Sequence, residues 1–203
     1  MFVVTADQNR STQRGVLVDE ILAELAPWQR RAGRAVVLPF ERTVGDEVQA
    51  VLSSAPAAVD VALRLARLDW AVGVGAGPVD SPLADSASAS SGTAFVLARD
   101  AVETARSKAS PYPIVVRGAD EGAAEAATAV LHLVGALRRT RSDAGWEVSD
   151  RLVTGVTQRA VAEELGITYQ AVHDRVRVAG VREELAALPH VAGMVADAEG
   201  ETP

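Results

Sequence analysis

The residues best suited to recognise another molecule lie near the C-terminus. A helix-turn-helix needs a small residue where its helices cross, a glycine in the left-handed turn and a capping residue before the second helix. Ala162, Gly166 and Thr168 meet these requirements in that order. The spacing of Val172 and Val176 puts both side chains on one inward face of the second helix. The sequence therefore predicts a helix-turn-helix.

The polar side chains of this motif have the chemistry of nucleic-acid contacts. Glutamine pairs with adenine and arginine with guanine in the major groove, while helix starts and polar side chains contact phosphates. The residues predicted to contact double-stranded DNA are Gln158, Thr168, Tyr169, Gln170, His173, Arg175 and Arg177. The alternative is that these helices serve only packing or dimerisation and that their surface charges are solvated.

Charge is distributed unevenly along the chain, which has 20 basic and 27 acidic residues and a net charge of −7. Residues 138–182 hold eight arginines and six acids, a balance of +2, whereas residues 183–203 hold five acids and no base. Arg138, Arg139 and Arg141 lie at a predicted helix end, where they are either solvated or in contact with phosphate. Phosphate binding needs local positive potential, so DNA binding by this segment requires a homodimer with two half-sites.

Composition excludes several classes of protein. The 203 residues, 48% of them hydrophobic, can bury a core without disulfides. The absence of cysteine excludes disulfide scaffolds, cysteine-ligated metals and cysteine nucleophiles. The sequence shows neither an apolar run near the ~20 residues of a membrane span nor a basic signal-peptide region. These features predict a cytoplasmic protein without membrane contact.

A second candidate site involves Asp7, which ends the first predicted strand, and Asp46, which lies between the second and third. The N-terminal order β-α-β-β-α-β is typical of a ferredoxin-like sheet, whose first and third strands are antiparallel neighbours. Two carboxylates at one sheet edge, with Glu47 adjacent, suit Mg²⁺ that carries a nucleotide phosphate. The alternative is that Asp7 caps a helix or pairs with Arg10 and that Asp46 only forms the turn.

Periodicity and turn residues place the remaining elements. The predicted strands are 2–6, 35–43, 47–52, 70–76 and 112–117, and the predicted helices are 16–25 (ended by Pro27), one opened by Pro56, 92–106 and 120–141. Residues 77–92, rich in serine and proline, predict an exposed, mobile loop. The glycines at 73, 75 and 77 have the wrong spacing for dinucleotide binding, and Pro78 blocks the helix that would follow.

The predicted fold class is α+β, with a ferredoxin-like, nucleotide-cyclase-like βαββαβ domain followed by an all-α helix-turn-helix domain. The predicted boundaries are 1–118 for the α/β domain, 119–142 for a connecting helix, 143–182 for the helix-turn-helix and 183–203 for an acidic tail.

Four N-terminal segments resemble the SatD family, whose pattern is A-D-x-x-x-S, G-D-E-F-Q and G-x-A-F-x-x-A-R. They are TADQNRS (5–11), LPFERTVGDEVQAVL (38–52), VGVGAGPV (72–79) and GTAFVLARDAV (92–102). This resemblance covers the first half of the chain, and a C-terminal helix-turn-helix also occurs in that family. It implies the α/β fold of the N-terminal domain.

More distantly, these segments resemble class III nucleotide cyclases and GGDEF-type diguanylate cyclases, which hold two metal ions on an acid ending the first strand and an acid in the hairpin. Asp7 and Asp46 occupy those positions. The resemblance also makes Glu47 and Arg99 candidate nucleotide-binding residues. Val96 and Asp100 stand where cyclases use asparagine and arginine, so the clamp on the transferring phosphoryl group is missing and cyclisation is not expected.

Together these patterns predict a DNA-binding transcriptional regulator whose N-terminal domain senses a nucleotide or other small ligand or forms the dimer. One alternative is a Mg²⁺-dependent nucleotide-binding or nucleotide-processing enzyme. Another is a non-catalytic dimeric scaffold.

Overall fold

The fold is mixed α+β, with one five-stranded mixed sheet and eight α-helices in the described part of the chain. The computed structural model describes residues 1–9, 15, 17–107 and 109–200. The chain divides into two compact units, unit 1 (Met1–His132 with Val191–Pro203) and unit 2 (Leu133–His190).

Unit 1 contains the sheet. Its strands are β1 (Phe2–Gln8), β2 (Val36–Arg42), β3 (Glu47–Leu52), β4 (Trp70–Ala76) and β5 (Ile114–Gly118). Their order is β2-β3-β1-β4-β5; β4 pairs with β5 in parallel, and all other neighbours are antiparallel. Every residue of β1 and β4 is buried, because a central strand is covered on both faces. The β1–β3 register sets Asp7 opposite Glu47.

Eight α-helices lie in the described part of the chain. They are α1 (Val18–Ala32), α2 (Ala55–Arg67), α3 (Thr93–Ala105), α4 (Glu121–Arg139), α5 (Asp143–Leu152), α6 (Gln158–Leu165), α7 (Tyr169–Val178) and α8 (Val181–Asp197). Side-chain caps fix several of their starts, as Ser54 does for α2 and Asp120 for α4.

The glycines of β4 serve packing. A Cβ on Gly75 would lie 2.1 Å from the backbone oxygen of Ala94, and a Cβ on Gly73 would lie 2.3 Å from that of Ala98. Ala94 and Ala98 belong to α3, so only glycine in β4 lets this helix approach the strand so closely. This close contact accounts for Gly73 and Gly75 without a bound dinucleotide.

The prediction that Pro27 ends the first helix was wrong, because α1 continues to Ala32. A proline inside a helix removes one backbone hydrogen bond and costs about 3 kcal/mol. Tertiary contacts beyond the proline offset this loss. Trp28 is buried and its indole N–H donates to Asp60 at 2.7 Å, while Gln29 Oε1 accepts from the Phe40 amide at 2.7 Å.

The predicted exposed loop at 77–92 is more anchored than its composition suggested. Most of its residues are at least partly exposed, but Ala87 is buried, and Val79 and Leu83 pack against the same apolar cluster. Hydrogen bonds also hold it, since the Ser88 amide donates to Glu41 Oε1 at 2.7 Å and the Ser91 hydroxyl to Asp80 at 2.7 Å. The small side chains of this loop can pack against the apolar cluster, and the serine and proline content of the sequence does not indicate that packing.

The residues expected to form an acidic tail are helical as far as Asp197, the end of α8. Two of their acids are used in ion pairs: Glu184 is buried in unit 2, and Glu199 pairs with the amino terminus of Met1 in unit 1. The run of acids therefore reflects specific pairing and not only solvation. None of the described helices is long and apolar enough to cross a membrane.

Candidate functional site

The first candidate site is built on a small apolar core in unit 2. Helices α5, α6 and α7 contribute Val148, Val161, Val172 and Val176, each at most 1% exposed, and Leu152, Leu165 and Ile167 pack around them. Val172 and Val176 are thus buried as their spacing predicted. This core fixes which side of α7 faces away from the other helices.

The connection from α6 to α7 is a tight turn held by backbone geometry and caps. Gly166 has φ +63°, a left-handed conformation that glycine adopts without strain. The Ile167 amide donates to the Ala162 carbonyl at 3.1 Å, which closes the turn. Thr168 Oγ1 accepts from the Ala171 amide at 3.1 Å, and Thr157 caps α6 in the same way. The Thr168 hydroxyl is therefore committed to the start of α7.

The outward side of α7 is polar, and we call it the α7 polar surface. It consists of Tyr169, Gln170, His173, Asp174 and Arg177. Four of these are exposed, and His173 is half-buried. Asp174 lies between its helix neighbours, with Oδ2 3.4 Å from Gln170 Nε2 and Oδ1 4.0 Å from Arg177 Nη2. The Tyr169 and His173 rings are 6.3 Å apart. These positions leave hydrogen-bonding groups facing outward.

Two other predicted DNA contacts have different surroundings. The Arg175 guanidinium pairs with Glu147 Oε2 on α5 at 2.8 Å, which ties α7 to the neighbouring helix. Gln158 is half-buried at the start of α6, and its Oε1 is buried without a hydrogen-bond partner among the described residues. The spacing of Val172 and Val176 places Arg175 at the edge of the inward face, but it does not identify Glu147 as its partner, whereas Arg177 is exposed.

A buried ionic network lies beside this core, and sequence analysis missed it. Glu184 of α8 is 2% exposed and accepts from Arg138 Nε at 2.9 Å and from Arg141 Nη2. Arg141 also donates to the Ala179 carbonyl and the Ser149 hydroxyl, and its guanidinium lies 4.9 Å from the Trp146 ring centroid. Arg138 and Arg141 therefore have structural partners and are not simply solvated residues at a helix end.

The second candidate site is the carboxylate cluster of unit 1, formed by Asp7, Asp46 and Glu47. The Asp46 carbonyl accepts from the Gln8 amide at 3.2 Å, so the turn lies beside the end of β1. Asp7 is 5% exposed; its Oδ2 lies 3.1 Å from Arg106 Nη1, and its Oδ1 has no hydrogen-bond partner among the described residues. The expected convergence at this edge is therefore present.

Burial dominates the electrostatics of Asp7. It raises the pKa of this carboxyl from 3.8 to about 6; Arg106 opposes the shift, while the negative charges of Asp46 and Glu47 add to it. The charged form is thus disfavoured although one ion pair is made. An unpaired buried carboxylate oxygen beside two further acids is a place where a cation or proton would be stabilised.

One candidate nucleotide-binding residue, Glu47, belongs to this cluster, and the other, Arg99, lies beside it. Glu47 Oε1 accepts from the Thr43 hydroxyl, and Arg99 Nη2 lies 3.8 Å from the same oxygen, with its side chain 59% exposed. Arg10 lies outside the described residues. Within those described, no group of three or more His, Cys, Asp or Glu side chains is placed to hold a metal ion. Any cation here would be held by one or two carboxylates and by water.

Comparison of the chain with protein-family models, with curated proteins and with solved structures finds no match.

Proposed function

We propose that residues 143–182 are a DNA-binding helix-turn-helix domain in which α7 is the recognition helix. On this proposal the chain is a cytoplasmic transcriptional regulator that binds double-stranded DNA as a homodimer. The observation that supports it is the α7 polar surface. The opposite face of this helix packs in the valine core through Val172 and Val176. A rigid helix with outward amide, imidazole and guanidinium groups matches the needs of major-groove recognition.

The residues of the α7 polar surface divide by chemistry. Gln170 and Arg177 have the side chains that pair with adenine and guanine, and His173 adds a further hydrogen-bonding group. Gln158 at the start of α6 is assigned to backbone phosphate. Because the Arg175 guanidinium is held by Glu147, we assign it to the packing of α7 against α5 and not to base contact.

For unit 1 we infer a ferredoxin-like sheet. Its support is the strand order β2-β3-β1-β4 with antiparallel neighbours, to which β5 adds a parallel edge strand. The resemblance of its segments to the SatD family belongs to the same proposal. Unit 1 would sense a nucleotide or other small ligand or form the dimer. Dimerisation matters because residues 138–182 have a net charge of only +2, so a second copy is needed to attract DNA.

Replacing Arg177 by alanine is expected to weaken binding to a duplex selected by the protein from a random library by about tenfold. The side chain is 70% exposed and its nearest acid is 4.0 Å away, so its loss leaves folding intact. The measurement is fluorescence anisotropy with the full chain, together with a thermal melt of each variant.

The matched control is Arg175→Ala, which removes the same charge from the same helix. We expect a smaller loss of DNA affinity and a larger loss of stability, because Arg175 is held by Glu147 at 2.8 Å. Equal affinities for wild type and Arg177→Ala would remove α7 as the recognition helix. A protein that shows no salt-dependent DNA binding at all but forms dimers would favour the scaffold alternative.

A Mg²⁺-dependent nucleotide function is the second candidate, favoured by the buried and unpartnered Oδ1 of Asp7 beside Asp46 and Glu47. Mg²⁺ keeps much of its water and often uses one or two carboxylates together with substrate phosphates, so this small set fits a hydrated ion. Bound there, the metal would supply charge neutralisation for a nucleotide phosphate. Nucleotide binding that requires Mg²⁺ and is lost in Asp46→Asn would support it. Absence of binding at millimolar nucleotide would count against it.

A further inference from the structure

We propose that Arg182, a residue that sequence analysis did not select, contacts a DNA phosphate at the edge of the α7 polar surface. The inference rests on the proposed DNA-binding function and extends its contact surface from α7 to the first turn of α8. It assigns a specific ligand chemistry, the phosphate backbone of a duplex, to a residue that follows α7 at the end of the proposed domain.

Position supports this assignment. Arg182 is the second residue of α8 and is exposed, and its Nη2 lies 3.3 Å from His173 Nδ1. His173 lies on the same side of α7 as Gln170 and Arg177, at spacings of three and four residues that bring side chains together on a helix. The Arg182 guanidinium therefore adjoins the surface proposed to face DNA.

The charge environment of Arg182 differs from that of the neighbouring arginines. Each of three others in unit 2 has an acidic partner: Arg151 with Glu164 at 2.9 Å, Arg159 with Glu163 at 3.4 Å and Arg175 with Glu147 at 2.8 Å. Arg182 has no such acid within 4.0 Å among the residues that the structure describes, and its side-chain partner is the His173 ring. Its charge is thus available to a phosphate.

The place of Arg182 in α8 also indicates a role other than helix stability. The start of a helix carries partial positive charge, so a cation in the first turn is disfavoured. The following residues, Glu183 and Glu184, are the acids that this position favours. Arg182 is a cation at a helix start, where cations are disfavoured, so binding an anion there would stabilise it. A DNA phosphate is such an anion.

Arg182 also determines which nitrogen of the His173 ring can donate a hydrogen bond to DNA. A guanidinium only donates hydrogen bonds, so a bond from Arg182 Nη2 to His173 Nδ1 uses the tautomer that has its ring hydrogen on Nε2. The imidazole can then donate through Nε2–H to an acceptor on DNA. The pair would supply two donors from one small region, a guanidinium for phosphate and an imidazole for a phosphate or a base acceptor.

The test is the salt dependence of DNA binding by the full chain, measured with a labelled mixed-sequence duplex between about 50 and 200 mM KCl. Arg182→Ala is expected to lower affinity about fivefold near physiological salt and to reduce the slope of log K against log salt by about one. Arg182→Lys should retain most of both, because a phosphate contact depends mainly on charge.

Arg151→Ala is the matched control, because its charge is already compensated by Glu164 and its removal should leave the slope nearly unchanged. An Arg182→Ala slope equal to wild type, in a variant that melts normally, would overturn the inference. The proposed function would survive that result if Arg177→Ala still weakened binding. Wild-type protein without salt-dependent DNA binding would instead reject the proposed function, and the Arg182 assignment with it.

Discussion

Replacing Glu184 by alanine is expected to lower the free energy of unfolding of unit 2 by about 3–5 kcal/mol. The Glu184 side chain is 1% exposed and accepts hydrogen bonds from two arginines, one of which, Arg141, has a fully buried side chain. Removing the carboxylate leaves a buried guanidinium charge uncompensated. A lost surface ion pair, by contrast, costs about 1 kcal/mol or less.

Glu183→Ala provides the control, because Glu183 is the exposed neighbour on the same helix turn. It is expected to change stability by no more than about 0.5 kcal/mol. Amide hydrogen exchange over α5, α6 and α7 reports the opening free energy of unit 2 apart from that of the sheet. Protection of these helices in Glu184→Ala equal to that in Glu183→Ala would show that the buried network contributes little.

The Glu184 network also has a consequence for function. Arg141 links α8 to α5 and to the end of α7, because it donates to the Ser149 hydroxyl and to the Ala179 carbonyl. Loss of Glu184 should therefore loosen the position of α7 and weaken the proposed DNA binding, even though Glu184 itself is buried. Arg177→Ala should weaken the proposed DNA binding without lowering the hydrogen-exchange protection of these helices.

Much of the fold could be predicted because local signals were strong. Strand β4 has the predicted bounds, since an apolar run between turn residues leaves little freedom, and Gly166 and Thr168 define the turn before α7 through their own backbone and capping chemistry. Each of these features depends on residues within a few positions of one another. Patterns of spacing detect that kind of information well.

Features that depend on distant residues could not be predicted in this way. Glu184 and Arg141 are 43 residues apart, so their pairing has no local signature, and the acids near the C-terminus resembled a solvated tail. The continuation of α1 past Pro27 depends on Asp60, which binds the Trp28 indole from 32 residues away. Tertiary contacts outweighed the local preference in both cases.

The same distinction applies to the candidate sites. The identity of the exposed residues on α7 followed from the Val172 and Val176 spacing, but the engagement of Arg175 by Glu147 required the packing of α5. Arg182 lies after α7, in the first turn of α8, and its contact with His173 connects it to the α7 polar surface. At the carboxylate cluster, topology brought Asp7 near Asp46, whereas the burial of Asp7 depends on the whole sheet.

Replacing Asp7 by asparagine is expected to stabilise the protein by about 2–3 kcal/mol at about pH 7.5. Burial raises the pKa of Asp7 from 3.8 to about 6. Between pH 3.8 and about 6, the carboxyl is therefore protonated in the folded state and ionised in the unfolded state. Stability contributed by this group is therefore fully present below about pH 4 and is lost as the pH rises through 6. Asparagine is neutral throughout and avoids this loss. Arg106, which loses its partner, has a side chain that is 56% exposed and can be solvated.

The measurement is urea denaturation of wild type and Asp7→Asn from pH 4 to 8, with Asp19→Asn as a control because the Asp19 side chain is 94% exposed. The difference between wild type and Asp7→Asn should grow from near zero at the acidic end to its full value above pH 6, whereas the control should differ by less than about 0.5 kcal/mol throughout. Asp7→Asn less stable than wild type above pH 6 would show that the Arg106 ion pair outweighs burial.

A carboxylate kept at a net loss of stability is the pattern expected of a ligand-binding site. If Mg²⁺ binds there, the added ion should raise the melting temperature of wild type but not that of Asp7→Asn, because binding to the folded state alone stabilises it.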